Sequence, residues 1–347
     1  MNEGPRAAEL AQQDSDAGPQ RRSPLTLSKK IFGAVLALAL LALLAIAFRT
    51  SSAENFSRLS SANPWLVALG FLLNILAFGA RAYRLNLLLP PADRIPVATA
   101  WSLSGATTFL LQVMPFRSGE IGSWASIRAA LGASWARSGA VLALVKLLDT
   151  ATLLLAGLAG AAWLLFTRGT NVLGVSVAAL VLLGAAFLLA LPLAGGRLLV
   201  SLVPRLPENS RRHAFAREVA EGLSVARRAP GDYAMATAAA AAFLAIHVPA
   251  LWVTARGFGL PIHPATLLVA LFASIATSAV LPSPVGTFGP YESGFAAAAA
   301  LDGLPLATGA VLGGLLHLLT TLAAGLTGLP FFLSRLRENR ASRRNGA

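Results

Sequence analysis

Long apolar runs separated by short basic flanks dominate the chain. A helix that crosses a bilayer takes about 20 mostly apolar residues, and such runs lie near 31–49, 65–88, 138–166, 171–192, 233–258 and 305–333. Each predicts a full span. The first, preceded by Arg21, Arg22, Lys29 and Lys30, imitates a signal peptide, but it is long for one and reads as a retained span. Two further stretches, 97–131 and 265–301, depart from the pattern: an apolar segment runs into Pro and Gly and resumes as a shorter one. These predict helical hairpins. The expected fold is therefore an all-α, polytopic membrane protein with six full spans and two Pro/Gly-broken hairpins. A topology in which each hairpin crosses fully also fits the runs. The membrane region occupies 29–335 as one domain. Residues 1–28, rich in Ala, Gln, Asp, Ser and Pro, cannot bury an apolar face and read as a disordered cytoplasmic tail; 336–347 read as a basic one.

Composition fixes the solvent. Fifty-six per cent of residues are hydrophobic and 12% charged, about half the charge of an ordinary soluble domain. The net charge of +13 excludes little by itself, but Lys and Arg cluster beside apolar runs, where they set topology and meet anionic lipid headgroups. Nucleic acid is not an expected partner. With no cysteine and four scattered histidines, there is no disulfide and no spaced metal-ligand set, and no cofactor is expected.

The basic clusters all fall on one side of this topology. Arg21 to Lys30, Arg81 and Arg84 at the end of the second span, the loop 193–232 and Arg335 to Arg344 land together, which predicts cytoplasmic N- and C-termini in a bacterial-type inner membrane. Within the loop, Phe215, Val219, Leu223 and Ala226 recur at near-helical spacing. A helix lying on the inner leaflet and a solvated loop helix both fit.

The order "apolar segment, Pro/Gly break with one Glu, short apolar segment, long span" occurs twice, in halves near 65–166 and 233–333. The first break contains Pro115, Arg117, Gly119 and Glu120, and its span opens Ser138-Gly139-Ala140-Val141-Leu142. The second contains Pro282, Pro284, Gly286, Gly289 and Glu292, and its span opens Thr308-Gly309-Ala310-Val311-Leu312. Between them lie the spans 138–166 and 171–192 and the span 233–258 that begins the second half, so the hairpins enter from opposite sides, which predicts an inverted repeat. In transporters, broken helices of such repeats face each other at a midplane substrate site, and broken backbone is tolerated only inside protein or along a wet cavity.

Ionisable side chains inside spans cost about 2.5–3.5 kcal/mol on insertion scales and so need a partner or a cavity. Lys146 and Asp149, three residues apart on one helix, are expected to pair, either structurally or as part of a headgroup site. Glu120 and Glu292 occupy matching places beside the breaks, where they either handle a proton or cation or cap the freed amides. Arg117 either binds a phosphate with its fork of donors or snorkels to the interface. His317 holds roughly the place in the second repeat that Lys146 holds in the first. Arg117, Glu120, Lys146, Asp149, Glu292 and His317 form the candidate path. No catalytic residue set is expected.

At these residues the chain resembles the flippase-like family that includes the lysylphosphatidylglycerol synthase transmembrane domain and the hopanoid-associated flippase-like proteins. The resemblance covers about 31–335. It rests on Pro115, Gly119-Glu120 and the Lys146/Asp149 spacing, and more specifically on Pro282, Pro284, Gly286, Gly289 and Glu292. Ser123 and Trp124 stand where an Arg is expected after the first Gly-Glu, Lys146 stands for an Arg, and His317 sits where the last span often has one. The resemblance implies movement of a lipid with a polar or charged headgroup between leaflets, not synthesis, because the synthase's soluble aminoacyl-transfer domain has no counterpart before Ala347. No GxxxxGK[ST] motif is present, so ATP hydrolysis by this chain is not the expected drive. The competing expectations are an intramembrane lipid-modifying enzyme using paired carboxylates and a noncatalytic scaffold for a lipid-biosynthesis enzyme.

Overall fold

The computed structural model describes residues 61–168, 201, 211–224, 228–281, 283–284 and 286–345. The expected spans at 31–49 and 171–192, the tail 1–28 and Pro282 lie outside the described residues. Every element within them is helical. Among the described residues four helices are long and apolar enough to cross a membrane: α1 (Pro64–Leu87), α4 (Trp135–Arg168), α6 (Pro230–Gly257) and α9 (Leu306–Asn345). They fall on the runs expected at 65–88, 138–166, 233–258 and 305–333. The last helix, however, continues past 335 to Asn345 where a tail was expected.

Between them lie two broken hairpins. The first joins α2 (Val97–Val113) to α3 (Ser118–Leu131) through a 3-10 turn at Pro115–Arg117. The second joins α7 (Pro264–Val280) to α8 (Pro290–Ala299). Arms of 17, 14, 17 and 10 residues extend roughly 25, 21, 25 and 15 Å at 1.5 Å per residue, short of a hydrocarbon core about 30 Å thick. Proline opens α1, α6, α7 and α8, where its missing N–H costs nothing. Asn63 caps α1 by accepting from Trp65 N (3.0 Å) and Leu66 N (3.3 Å).

Glycine and alanine set how closely the helices approach, as in membrane bundles generally. Gly70 of α1 lies on Ala250 and Thr254 of α6, and Gly257 of α6 on Leu66 and Val67 of α1. The two long helices α4 and α9 act as rails. Along α9, Gly309 meets Ala296 and Ala299, Gly313 meets Phe295, Gly325 meets Phe109 and Gly328 meets Gly105 and Ala106. So α8 covers its first half and α2 its second. Along α4, Gly139 meets Trp124 of α3, whereas Gly157 and Gly160 meet Phe272, Leu268 and Ala265 of α7. Each rail thus carries the second arm of its own hairpin first and the first arm of the other hairpin next.

The two ends of the bundle differ in chemistry. At one, Arg137 pairs with Asp93, Arg94 with Asp232 (2.7 Å), and Arg335 donates to Ala129 O (2.5 Å). The helix α5 (Arg211–Leu223) docks there: Ala220 is buried, Gly222 lies on Ala140 of α4, and Ser134 donates to Glu218. It therefore packs on protein through Ala220, Gly222 and Leu223, with Phe215 exposed; neither of the two placements open from the sequence included this docking. At the other end, Asn63 N donates to Gly257 O (2.8 Å), and Asp302 accepts from His263 N (2.7 Å) and Thr266 Oγ1 (2.8 Å).

Candidate functional site

The hairpin breaks meet each other. Phe116 N donates to Ser283 O (3.1 Å) and Thr287 N to Gln112 O (3.2 Å), so the backbone groups freed by each break are partly satisfied by the other. Glycines make two close approaches feasible, one between the breaks and one within the first hairpin. A Cβ on Gly286 would lie 1.7 Å from Gln112 O, and its φ of 54° is itself unsuited to other residues. A Cβ on Gly119 would lie 2.2 Å from Leu110 O, so α3 rests directly on the backbone of α2. Phe116 adopts φ 48°, ψ 40°, the only positive φ of a non-glycine among the described residues. Such conformations cost about 1–3 kcal/mol and cluster at functional sites. Arg117 closes the turn, and its side chain lies outside what the structure describes.

A cavity of about 410 Å³ lies against both breaks, bordered by α1, α2, α3, α4, α6, α7, α8 and α9. Its inner wall carries an ion cluster. Arg84, 2% exposed, grips Asp149 bidentately, with Nη2 donating to Oδ2 at 3.1 Å and Nη1 to Oδ1. Arg81 Nη2 stands 3.9 Å from the same carboxylate; its Nη1 donates to Thr108 Oγ1 (2.8 Å) and its guanidinium stacks over Phe243 at 4.1 Å. One carboxylate thus serves two guanidinium groups. Arg81 Nε, Arg84 Nε and Gln112 Oε1 are buried without a hydrogen-bond partner, and all three residues border the cavity. Buried polar groups normally find a partner, and these three do not.

This arrangement corrects two expectations. Lys146 and Asp149 do not pair with each other: Asp149 turns to Arg84 and Arg81, and Lys146 Nζ lies 3.7 Å from Glu120 Oε1. The reason is geometric, because a planar guanidinium offers two parallel donors to the buried carboxylate while the ammonium, 41% exposed, reaches the more open acid, 55% exposed. Nor are Arg81 and Arg84 simple markers of a span end. Residues three apart fall on one helix face, and here that face lines the cavity.

The second hairpin carries the counterpart. His317, 1% exposed, places Nδ1 2.8 Å from Glu292 Oε1 and Nε2 3.0 Å from Thr287 Oγ1, and its ring is stacked between Phe288 and Tyr291, both 4.2 Å away. Glu292 Oε2 accepts from Gly289 N (2.5 Å), so the same carboxylate also caps α8. Of the alternatives open from the sequence, the capping contact of Glu292 is present, and the same carboxylate also meets His317. In each hairpin, then, the acid after the break reaches the basic side chain of the following rail: Lys146 is 26 residues after Glu120, and His317 25 after Glu292. Lys146, Asp149, Glu120 and His317 all border the cavity, and Glu292 joins it through His317.

Sequence reasoning missed the remaining polar groups. They include Arg81, Arg84, Thr108, Gln112, His247 and Thr287 on the cavity wall, with Asn74 2.6 Å from His247. A pair of arginines inside the last turns of an apolar span was the available signal, because such charges require a counter-ion.

No curated protein and no solved structure matches the chain. The model of one family, described as the lysylphosphatidylglycerol synthase TM region, matches residues 31–328. With its helical bundle, membrane-length spans and charged intramembrane cavity, the chain belongs to the family of the lysylphosphatidylglycerol synthase transmembrane region.

Proposed function

We propose that the protein is a lipid translocase: a polar or charged headgroup enters the cavity between the two hairpin tips while its apolar chains stay in the bilayer. The observation that carries this reading is the cavity itself, a charged chamber against both broken tips, bordered by Arg81, Arg84, Lys146, Glu120 and Asp149. Exposed apolar side chains on both tips, Phe116 and Val280 among them, suit acyl or polyprenyl chains beside the headgroup.

The finer architecture belongs to the same proposal. The paired hairpins and the crossed use of the rails α4 and α9 support an inverted repeat with two re-entrant hairpins among six spans. The end of the bundle bearing Arg94, Arg137 and Arg335 is its cytoplasmic face in an inner membrane, with both termini on that side. Anionic headgroups are its surface partners there. Movement is passive or ion-coupled, and the lipid leaves unaltered, so the protein is not an enzyme.

The test is leaflet exchange of fluorescent phospholipid and isoprenoid-lipid analogues in liposomes holding the purified protein, beside a Glu120→Gln/Glu292→Gln variant that still elutes as folded protein. Exchange by the wild type, lost in the variant, with the lipid mass unchanged, supports the proposal. A changed lipid mass points to the intramembrane enzyme instead. No exchange of any lipid class across pH and ion gradients counts against a translocase.

A further inference from the structure

The two acid–base pairs differ in one chemical respect. One base is a lysine ammonium and the other an imidazole, the side chain whose charge ordinarily changes between pH 5 and 8. The fixed charges bordering the cavity are three cations, Arg81, Arg84 and Lys146, against two anions, Asp149 and Glu120, which leaves one positive charge. The Glu292–His317 pair decides the total. With imidazole neutral and Glu292 ionised, the pair carries −1 and cancels the excess. With a proton taken up, it carries none, and the cavity is left at +1.

From this charge balance and geometry we infer that the protein couples one proton to an anionic, phosphate-bearing lipid headgroup, the proton residing on the Glu292–His317 pair while the headgroup lies against Arg81, Arg84 and Lys146. The inference rests on the translocase reading and names its substrate class and coupling ion. An anion in the cavity favours the protonated pair, and by linkage protonation favours the anion to the same extent.

The hydrogen bonds provide a route from this proton to the gate. In the neutral ring Nδ1–H donates to Glu292 and Nε2 accepts from the Thr287 hydroxyl. Protonated, Nε2–H must donate to Thr287 Oγ1, and the hydroxyl proton turns elsewhere. Thr287 borders the cavity, and its backbone N–H is one of the two bonds that hold the hairpin tips together. Glu292 also fixes the Gly289 turn. Proton uptake thus reaches both sides of the second break. The other titratable groups facing the cavity are Tyr291, stacked on His317, and His247, which is held by Asn74 and stacked on Phe243.

The test is calorimetric titration of the full chain in detergent with dihexanoyl phosphatidylglycerol, a phosphodiester of fixed charge across pH 5–8, in buffers of different ionisation enthalpy. Dihexanoyl phosphatidylcholine and sulfate serve as the zwitterionic and chain-free arms. The expected result is uptake approaching one proton per bound phosphatidylglycerol, affinity rising by up to about tenfold per pH unit of acidification where the pair titrates, and loss of both effects in His317→Gln. The wild-type buffer dependence is decisive even where that variant does not fold. Binding without proton uptake, uptake lost in His247→Gln but kept in His317→Gln, or equal binding of phosphatidylcholine would each overturn the inference. Uptake driven by sulfate with no binding of the lipid would assign the site to a free oxyanion and overturn it as well. Leaflet exchange without proton uptake upholds the translocase and overturns the coupling; proton-linked binding without exchange does the reverse.

Discussion

The two hairpins are built to one plan and finished differently. In the first, Glu120 and Lys146 face each other at 3.7 Å, both half-exposed. In the second, Glu292 and His317 meet at 2.8 Å under two aromatic rings, with the acid also holding the turn of its own break. An ion pair in contact with solvent contributes little to stability, about 0–1 kcal/mol. A buried, hydrogen-bonded one is tied to the backbone around it. Under the proposed translocation, the first pair would exchange partners with a headgroup and the second would move with the break it holds.

Four substitutions probe that contrast, in falling order of expected effect. The largest is outside both pairs: Asp149→Asn leaves Arg84 buried without its counter-ion, and removing one partner of a buried pair costs about 3–5 kcal/mol. Thermal unfolding in detergent should show it as the least stable of the four, and a near-native melting temperature would mean that Arg84 is not held as described. Gly286→Ala comes next, because the new Cβ must find room beside Gln112 O in a backbone conformation that itself costs on the order of 1–3 kcal/mol. The same measurement applies, and a neutral result would show that the tips are not in contact. Glu292→Gln removes the carboxylate that caps α8 and binds His317, a loss of about 1–2 kcal/mol by analogy with other N-terminal caps. Glu120→Gln should change stability by less than about 1 kcal/mol while lowering lipid exchange. Equal destabilisation by the two Glu variants would erase the difference between the hairpins.

Much of this was legible in the sequence for physical reasons. Apolar runs of membrane length announced α1, α4, α6 and α9, because only a helix satisfies its own backbone in lipid. Pro115, Gly119, Pro284 and Gly286 announced the breaks, since proline removes a donor and glycine admits conformations and contacts that other residues refuse. The partners were harder to see. Arg84 and Asp149 are 65 residues apart, and Asn74 and His247 173 apart; nothing local records that their helices touch. Lys146 and Asp149 satisfied the local pairing rule, yet a bidentate donor from another helix displaced it.

The proposed translocation requires the tips to part as a headgroup passes. Because the chain has no cysteine, a Phe116→Cys/Ser283→Cys variant places a single possible disulfide across the contact between the breaks, where Phe116 N and Ser283 O lie 3.1 Å apart. Leaflet exchange in liposomes, measured before and after oxidation and again after reduction, tests the claim directly. Exchange that stops when the cross-link forms and returns when it is reduced is the expected result; unchanged exchange by fully cross-linked protein would contradict it.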